Sequence, residues 1–247
     1  MSFAFKDLTE VQLEITTYCN AACPQCPRNI NGGQVNPHMP LCHLSREIIN
    51  ERFTQDVCAN LRQIFFCGSY GDPIMHPDFL DICRDLRAKN PTLWLYAHTN
   101  GGVHDAEWWK ELAHIFNGYG KIDFGIDGLE NTNHLYRRNV KFDVAINNAQ
   151  AFIQAGGKAQ WNYIVFKHNE HEIKQARILS QLVGFEDILF RGTGRFLNHE
   201  TLEEAENWTV TPQREDPYAL EVTSLDEYKN ASMQRLDELK QEYPDIR

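Results

Sequence analysis

Short apolar runs alternate with longer stretches whose apolar residues recur at helical spacing, and the alternation continues from residue 11 to residue 192. Val11–Tyr18 alternates and is rich in β-branched residues, which predicts a strand. Ser45–Ala59 has helical periodicity behind a Ser that can cap it. The same reading gives strands at Gln63–Gly68, Leu93–Thr99, Lys121–Asp127, Lys158–Phe166 and Asp187–Gly192. It gives helices at Pro77–Lys89, Asp105–Phe116, Phe142–Ala155 and Glu170–Val183, the last two followed directly by Gly. Parallel strands need crossover connections, and strands alternating with helices supply them. The expected fold class is therefore α/β, a partial (βα)6 TIM-like barrel, with functional groups at the C-terminal ends of its strands.

The pattern breaks after Phe196. Residues 198–221 are polar, acidic and contain Pro212 and Pro217, and Ser224–Gln241 returns as a charged amphipathic helix. The expected organisation is a core over residues 1–196 and a C-terminal extension over 197–247, a helical and irregular cap packed on the same domain.

With 247 residues and a 42% apolar fraction, the chain can bury a sizeable core, which excludes wholesale disorder. No window approaches the ~20 apolar residues of a spanning helix, and the start lacks a basic region followed by an apolar run. A cytoplasmic location without membrane contact is expected. The net charge of −10 argues against duplex nucleic acid as a partner, since that binding needs basic surface.

All seven Cys lie between positions 19 and 83, and three of them form Cys19-Asn-Ala-Ala-Cys23-Pro-Gln-Cys26 directly after the first predicted strand. Three thiolates on one loop can wrap a single soft metal centre. Zinc normally takes a fourth Cys or His, for which Cys42 and His43 are available. A [4Fe–4S] cluster on three Cys leaves one iron open to a small molecule.

The segment Tyr18–Cys26 resembles the C-x3-C-x2-C signature of radical S-adenosylmethionine (radical SAM) enzymes, and further resemblance extends over residues 9–192. Tyr70-Gly71-Asp72-Pro73 is similar to the family's Gly-Gly-Glu-Pro segment, which binds the amino group of SAM. Thr99-Asn100-Gly101 resembles its strand-three Thr-Asn-Gly, and Ile126-Asp127-Gly128 its segment near the SAM ribose, with Gly125 where Ser is common. In His134–Phe142, Arg138 falls on the Arg expected to pair with the SAM carboxylate, with Arg137 as its competitor. Phe166 ends the fifth predicted strand, where the family contacts adenine.

The resemblance implies Cys19, Cys23 and Cys26 as ligands of one [4Fe–4S] cluster, SAM as the second cofactor, and an electron donor such as flavodoxin or ferredoxin as partner. No Cys follows Cys83, so the auxiliary-cluster (SPASM) domain of larger relatives is not expected. The implied activity is reductive cleavage of SAM to a 5′-deoxyadenosyl radical that takes hydrogen from a substrate C–H bond. The expected substrate is a peptide or a small molecule; the alternative is hypermodification of a nucleotide or DNA base, as small bacteriophage members of the family carry out. Strand alternation turns polar groups inward, and His98, Arg191 and Arg195 are the candidate substrate contacts, with Tyr96, Asp123 and Asn162 beside them. The reading from another class is a non-catalytic metal-binding scaffold, which would have no use for Gly71, Asp72 and Arg138.

Overall fold

The computed structural model describes residues 8–196 and 205–229. Six parallel strands form one sheet in sequence order: β1 (Glu10–Leu13), β2 (Gln63–Phe66), β3 (Trp94–Thr99), β4 (Gly120–Gly125), β5 (Lys158–Ile164) and β6 (Asp187–Arg191). The sheet curves as a partial TIM-like barrel and is not closed. Its crossovers are α1 (Arg46–Arg52), α2 (Gln55–Asn60), α3 (Phe79–Lys89), α4 (Ala106–Phe116), α5 (Asn133–Tyr136), α6 (Phe142–Gln154) and α7 (Ile173–Val183).

The strands alternate because their two faces do different work. Ile64, Phe66, Leu95, Ala97, Ile122, Phe124, Trp161 and Tyr163 face the helices and are buried. Phe79, Ile82 and Leu86 of α3, Trp109, Leu112 and Phe116 of α4, and Phe152 of α6 join the same core. The other face of the sheet carries Tyr96, His98, Asp123, Asn162 and Arg191. Parallel strands covered on both faces read as continuous apolar runs; here the inner face lines a cavity, so polar residues recur on it between apolar ones such as Phe65 and Ile164.

Four sequence expectations change. The first strand stops at Leu13, because the chain then leaves the sheet and pairs with residues 42–44: Thr16 bridges His43, Thr17 N donates to Cys42 O, and Leu44 N to Ile15 O. The expected helix 45–59 is two, since Thr54 caps a new helix by accepting from Val57 N. Within the expected irregular tail, β7 (Asn207–Val210) and β8 (Tyr218–Glu221) form an antiparallel pair. Of the expected helix 224–241, Asp226–Tyr228 is a single 3-10 turn and the part beyond residue 229 lies outside the described residues. Among the described residues, no helix is long and apolar enough to cross a membrane.

The tail strands lie on the core. Thr211 N donates to Asn31 O, Val222 bridges Phe166, and Val210 and Leu220 are buried. Glu170 accepts from Thr223 and Ser224 side chains.

Candidate active site

A cavity of about 490 Å³ opens at the C-terminal ends of the strands, and Cys19, Cys23 and Cys26 all line it. Their loop is held from several sides. Arg28 donates through Nη2 to Ala21 O (2.7 Å) and Cys19 O (3.1 Å), and Ala22 N donates to Arg138 O (3.0 Å). Asp72 N donates to Tyr18 O at 2.8 Å. Gly71 is required here: a Cβ would stand 2.1 Å from Thr16 O, so the β2 loop packs directly on the backbone leading into the cysteines.

The Asp72 carboxylate is a strap between two loops. Its Oδ2 accepts from Thr99 Oγ1 (3.0 Å), Asn100 N (2.8 Å) and Asn100 Nδ2 (2.7 Å), and its Oδ1 from Ile74 N (3.3 Å). Burial pushes its pKa up against these hydrogen bonds. Thr99, Asn100, Gly71 and Asp72 all line the cavity.

The two arginines of α5's C-terminal end diverge. Arg137 lines the cavity, donates through Nε to Asp127 Oδ2 (2.6 Å) and places Nη1 3.8 Å from Cys23 Sγ. Gly125 makes room for it, since a Cβ there would meet Arg137 Nη2 at 2.3 Å. Arg138 is absent from the cavity wall. Its guanidinium donates to both Glu215 carboxylate oxygens (3.1 Å each), to Tyr218 Oη (3.2 Å) and to Gly32 O (3.1 Å), clasping the tail hairpin onto the cysteine loop. Asp127 is fully buried and acts through Arg137, while its other oxygen accepts from Ile164 N.

Tyr70 is half exposed, and neither it nor Pro73 lines the cavity. Phe166 is fully buried behind the wall, tilted against Tyr136 at 4.7 Å, and Tyr136 is the ring that reaches the cavity. His98, Arg191 and Arg195 do line it, together with Asp123 and Asn162. Arg191 donates to Asn162 Oδ1 (2.7 Å), and Arg195 reaches back to Gln25 O (2.8 Å). Arg28 and Tyr136 carried no signal in the sequence beyond their places beside Cys26 and Arg137.

Asp123 anchors the inner face. Tyr96 Oη (2.5 Å) and Asn162 Nδ2 (2.8 Å) donate to its Oδ2, His98 Nε2 lies 3.3 Å away, and Lys121 Nζ is 3.1 Å from Oδ1. Burial alone would raise its pKa, but these donors and the Lys121 charge outweigh it and hold the carboxyl at about 2. The stabilisation is present above the unfolded carboxyl's ordinary value and is lost as pH falls toward 2. It amounts to roughly 2 kcal/mol. In urea unfolding, the stability gap between the native chain and Asp123→Asn should therefore be narrower at pH 3 than at pH 7; a gap independent of pH would show that the ionised form is not favoured.

The donor set fits an iron–sulfur cluster. Ala21 N (3.4 Å) and Asn100 Nδ2 (3.6 Å) approach Cys19 Sγ, as Arg137 does Cys23 Sγ, the arrangement a sulfur that carries charge requires. Burial pushes the Cys19 thiol up, helped by Asp72 and Cys23; burial also raises Cys23, to about 11, with Arg137 opposing. Metal ligation favours the thiolate form of such buried thiols. Among the described residues, no three His, Cys, Asp or Glu side chains converge as they would on a single ion. Cys42 is exposed and lies against Thr17, and His43 stacks on Tyr18 at 4.5 Å, so neither completes a zinc site in the cavity. Cys58 and Cys83 are core residues, and Cys67 lies 3.0 Å from Ser69 Oγ.

The profile of the Radical SAM superfamily matches residues 13–178, and the chain belongs to that superfamily. It therefore uses a [4Fe–4S] cluster and SAM. Over 120 residues the chain is 31% identical to the tungsten-containing aldehyde ferredoxin oxidoreductase cofactor-modifying protein of Pyrococcus furiosus, covering 47% of this chain and 30% of that one. Its fold is similar to that of Streptococcus suis SuiB bound to SAM, with TM-score 0.60 and 16% identity over 95% of this chain and 47% of SuiB. Methylornithine synthase (PylB) gives TM-score 0.57 and 16% identity over 96% of this chain and 63% of PylB. Native anSMEcpe with bound AdoMet gives 0.58 and 16% over 74% and 51%. The chain thus spans less than two thirds of the length of each of these proteins.

Proposed function

We propose that the chain starts a radical reaction at a C–H bond of a peptide or a small polar molecule. The observation that carries this reading is one cavity. It is lined by the three cysteines, the Asp72–Asn100 strap and Arg137 together with His98, Asp123, Asn162 and Arg191 of the inner face. When bound, the cluster and SAM supply a one-electron cleavage that yields an adenosyl carbon radical. Cys19, Cys23 and Cys26 hold the cluster. Asn100 and Arg137 aim N–H groups at their sulfurs, and Asp72 holds the Thr99–Asn100 loop, which would receive the amino group of SAM. Arg137, kept in place by Asp127, is the fork for the SAM carboxylate. Tyr136 and Ile164, at the end of β5, line the cavity and would border the adenosyl group. The inner face then presents hydrogen-bonding groups to the substrate, with Arg191 and Arg195 suited to an anionic part of it.

Two structural relatives are described with peptides, SuiB with its precursor SuiA and anSMEcpe with Kp18Cys. PylB and the P. furiosus protein are named for a small molecule and a cofactor. Both substrate classes are therefore retained, and a flavodoxin or ferredoxin is the electron donor proposed. The test is anaerobic: the chain loaded with iron and sulfide, given dithionite and SAM, should release 5′-deoxyadenosine detectable by mass spectrometry. A loaded cluster with bound SAM and no 5′-deoxyadenosine would count against it.

A further inference from the structure

Arg28 stands two residues past Cys26, lines the cavity and is 5% exposed. Every acceptor it meets is neutral: Ala21 O, Cys19 O and Asn29 Oδ1 (3.4 Å), all from Nη2. Its Nε is buried and has no partner. The neighbouring arginines are different, since Arg137 is paired with Asp127 and Arg138 with Glu215. Among the described residues, no carboxylate forms an ion pair with Arg28. A guanidinium withdrawn from water needs an anion to be tolerated. Arg28 shares the cavity wall with the three thiols, and its Nη2 sits on the carbonyl of one of them, Cys19. Three thiolates around a doubly positive four-iron core leave the unit one charge negative, and one added electron makes it two.

We propose that Arg28 is the counter-charge of the cluster, a fixed cation that favours the reduced state and so raises the midpoint potential. This rests on the cluster assignment made above. The sign follows from electrostatics: a nearby positive charge stabilises the more negative of two redox states, and cluster potentials respond to net charge and hydrogen bonding. The carbonyl bonds of Nη2 keep the guanidinium from swinging away, so the charge is fixed as well as near. Nothing is transferred by Arg28 itself; the electron comes from the external donor.

The test compares the native chain, Arg28→Gln and Arg28→Lys, each loaded anaerobically and titrated with dithionite without SAM, the reduced cluster being followed by electron paramagnetic resonance. With equal iron content, Arg28→Gln should lose at least tenfold in the reduction equilibrium, about 59 mV for a one-electron couple. Arg28→Lys should keep most of the native potential. Equal potentials for the native chain and Arg28→Gln overturn the proposal, as does a difference that appears only when SAM is added, which would place the charge against the SAM carboxylate. If Arg28→Gln binds no cluster, Arg28→Lys decides. It keeps the charge but loses the fork, so loading at the native potential supports the proposal and failure to load shows a purely structural role. A native chain that loads no four-iron cluster removes the cofactor assignment and this proposal together.

Discussion

Cys23→Ala, loaded anaerobically with iron and sulfide, is expected to hold no four-iron cluster and to release no 5′-deoxyadenosine above background. The described structure offers no spare ligand. Cys42 is exposed beside Thr17, Cys67 sits at the end of β2 against Ser69, and Cys58 and Cys83 are sealed in the helix-facing core. Cys23 is also the most enclosed of the three, 8% exposed, with Arg137 Nη1 aimed at its sulfur. Removing one thiolate leaves two ligands for a cluster that three must hold, and the chemistry depends wholly on that cofactor. The strands and helices around the loop do not depend on this side chain, so far-UV circular dichroism should stay native. Iron and sulfide analysis is the check; a full four-iron complement in Cys23→Ala would reassign the ligands.

Most of the fold is legible in the sequence because its strands face two environments. Apolar residues at every second position mark the face under the helices, and this fixed six strands in the right order. The limits came where tertiary pairing overrides local preference. Residues 14–18 alternate like a strand, yet they pair with residues 42–44 because the chain must turn into the cysteine loop. The helix break at Thr54 had a capping residue as its signal. The tail hairpin had none strong enough, since Asn207–Val210 is short and acquires its burial only on the core.

The site shows the same division. Cys19, Cys23, Cys26, Asp72 and Asn100 sit on strand-end loops and Thr99 is the last residue of β3, where order along the chain dictates position, and they share the cavity. Tyr70, Pro73, Asp127, Arg138 and Phe166 do not line it. Asp127 and Phe166 back the wall through Arg137 and Tyr136, an indirect role that motif matching does not distinguish from contact. Arg28 and the Arg137–Arg138 choice depend on which way a side chain turns. That is decided by the partner each finds: Cys19 O and Ala21 O for Arg28, Asp127 ten residues back for Arg137, and Glu215 seventy-seven residues on for Arg138; motif matching encodes none of these.

The two adjacent arginines should therefore give opposite results. Arg137→Ala removes the one cation among the described residues that pairs with Asp127, a carboxylate with no exposure that is left among them with Ile164 N as the remaining donor to its side chain. Breaking such a buried pair costs about 3–5 kcal/mol, read as a large drop in melting temperature. It also removes the fork proposed for the SAM carboxylate, so SAM affinity should fall by one to two orders of magnitude, from roughly 1.5–3 kcal/mol for a charged hydrogen bond. Arg138→Ala leaves its own carbonyl on Ala22 N, so the cysteine loop keeps that support. What it loses is the clasp on Glu215, whose side chain is 63% exposed, together with the bonds to Tyr218 Oη and Gly32 O, and an exposed ion pair of that kind contributes little to stability. SAM affinity should stay near native, while the segment 211–217 becomes easier for a protease to cut. Because Arg137→Ala could lose SAM merely through lost stability, Asp127→Asn is measured beside it: that chain keeps the guanidinium but loosens its hold, and its SAM affinity should fall less than that of Arg137→Ala. Native affinity in Arg137→Ala with loss in Arg138→Ala would return the carboxylate to Arg138, and would require Glu215 to release it when SAM arrives.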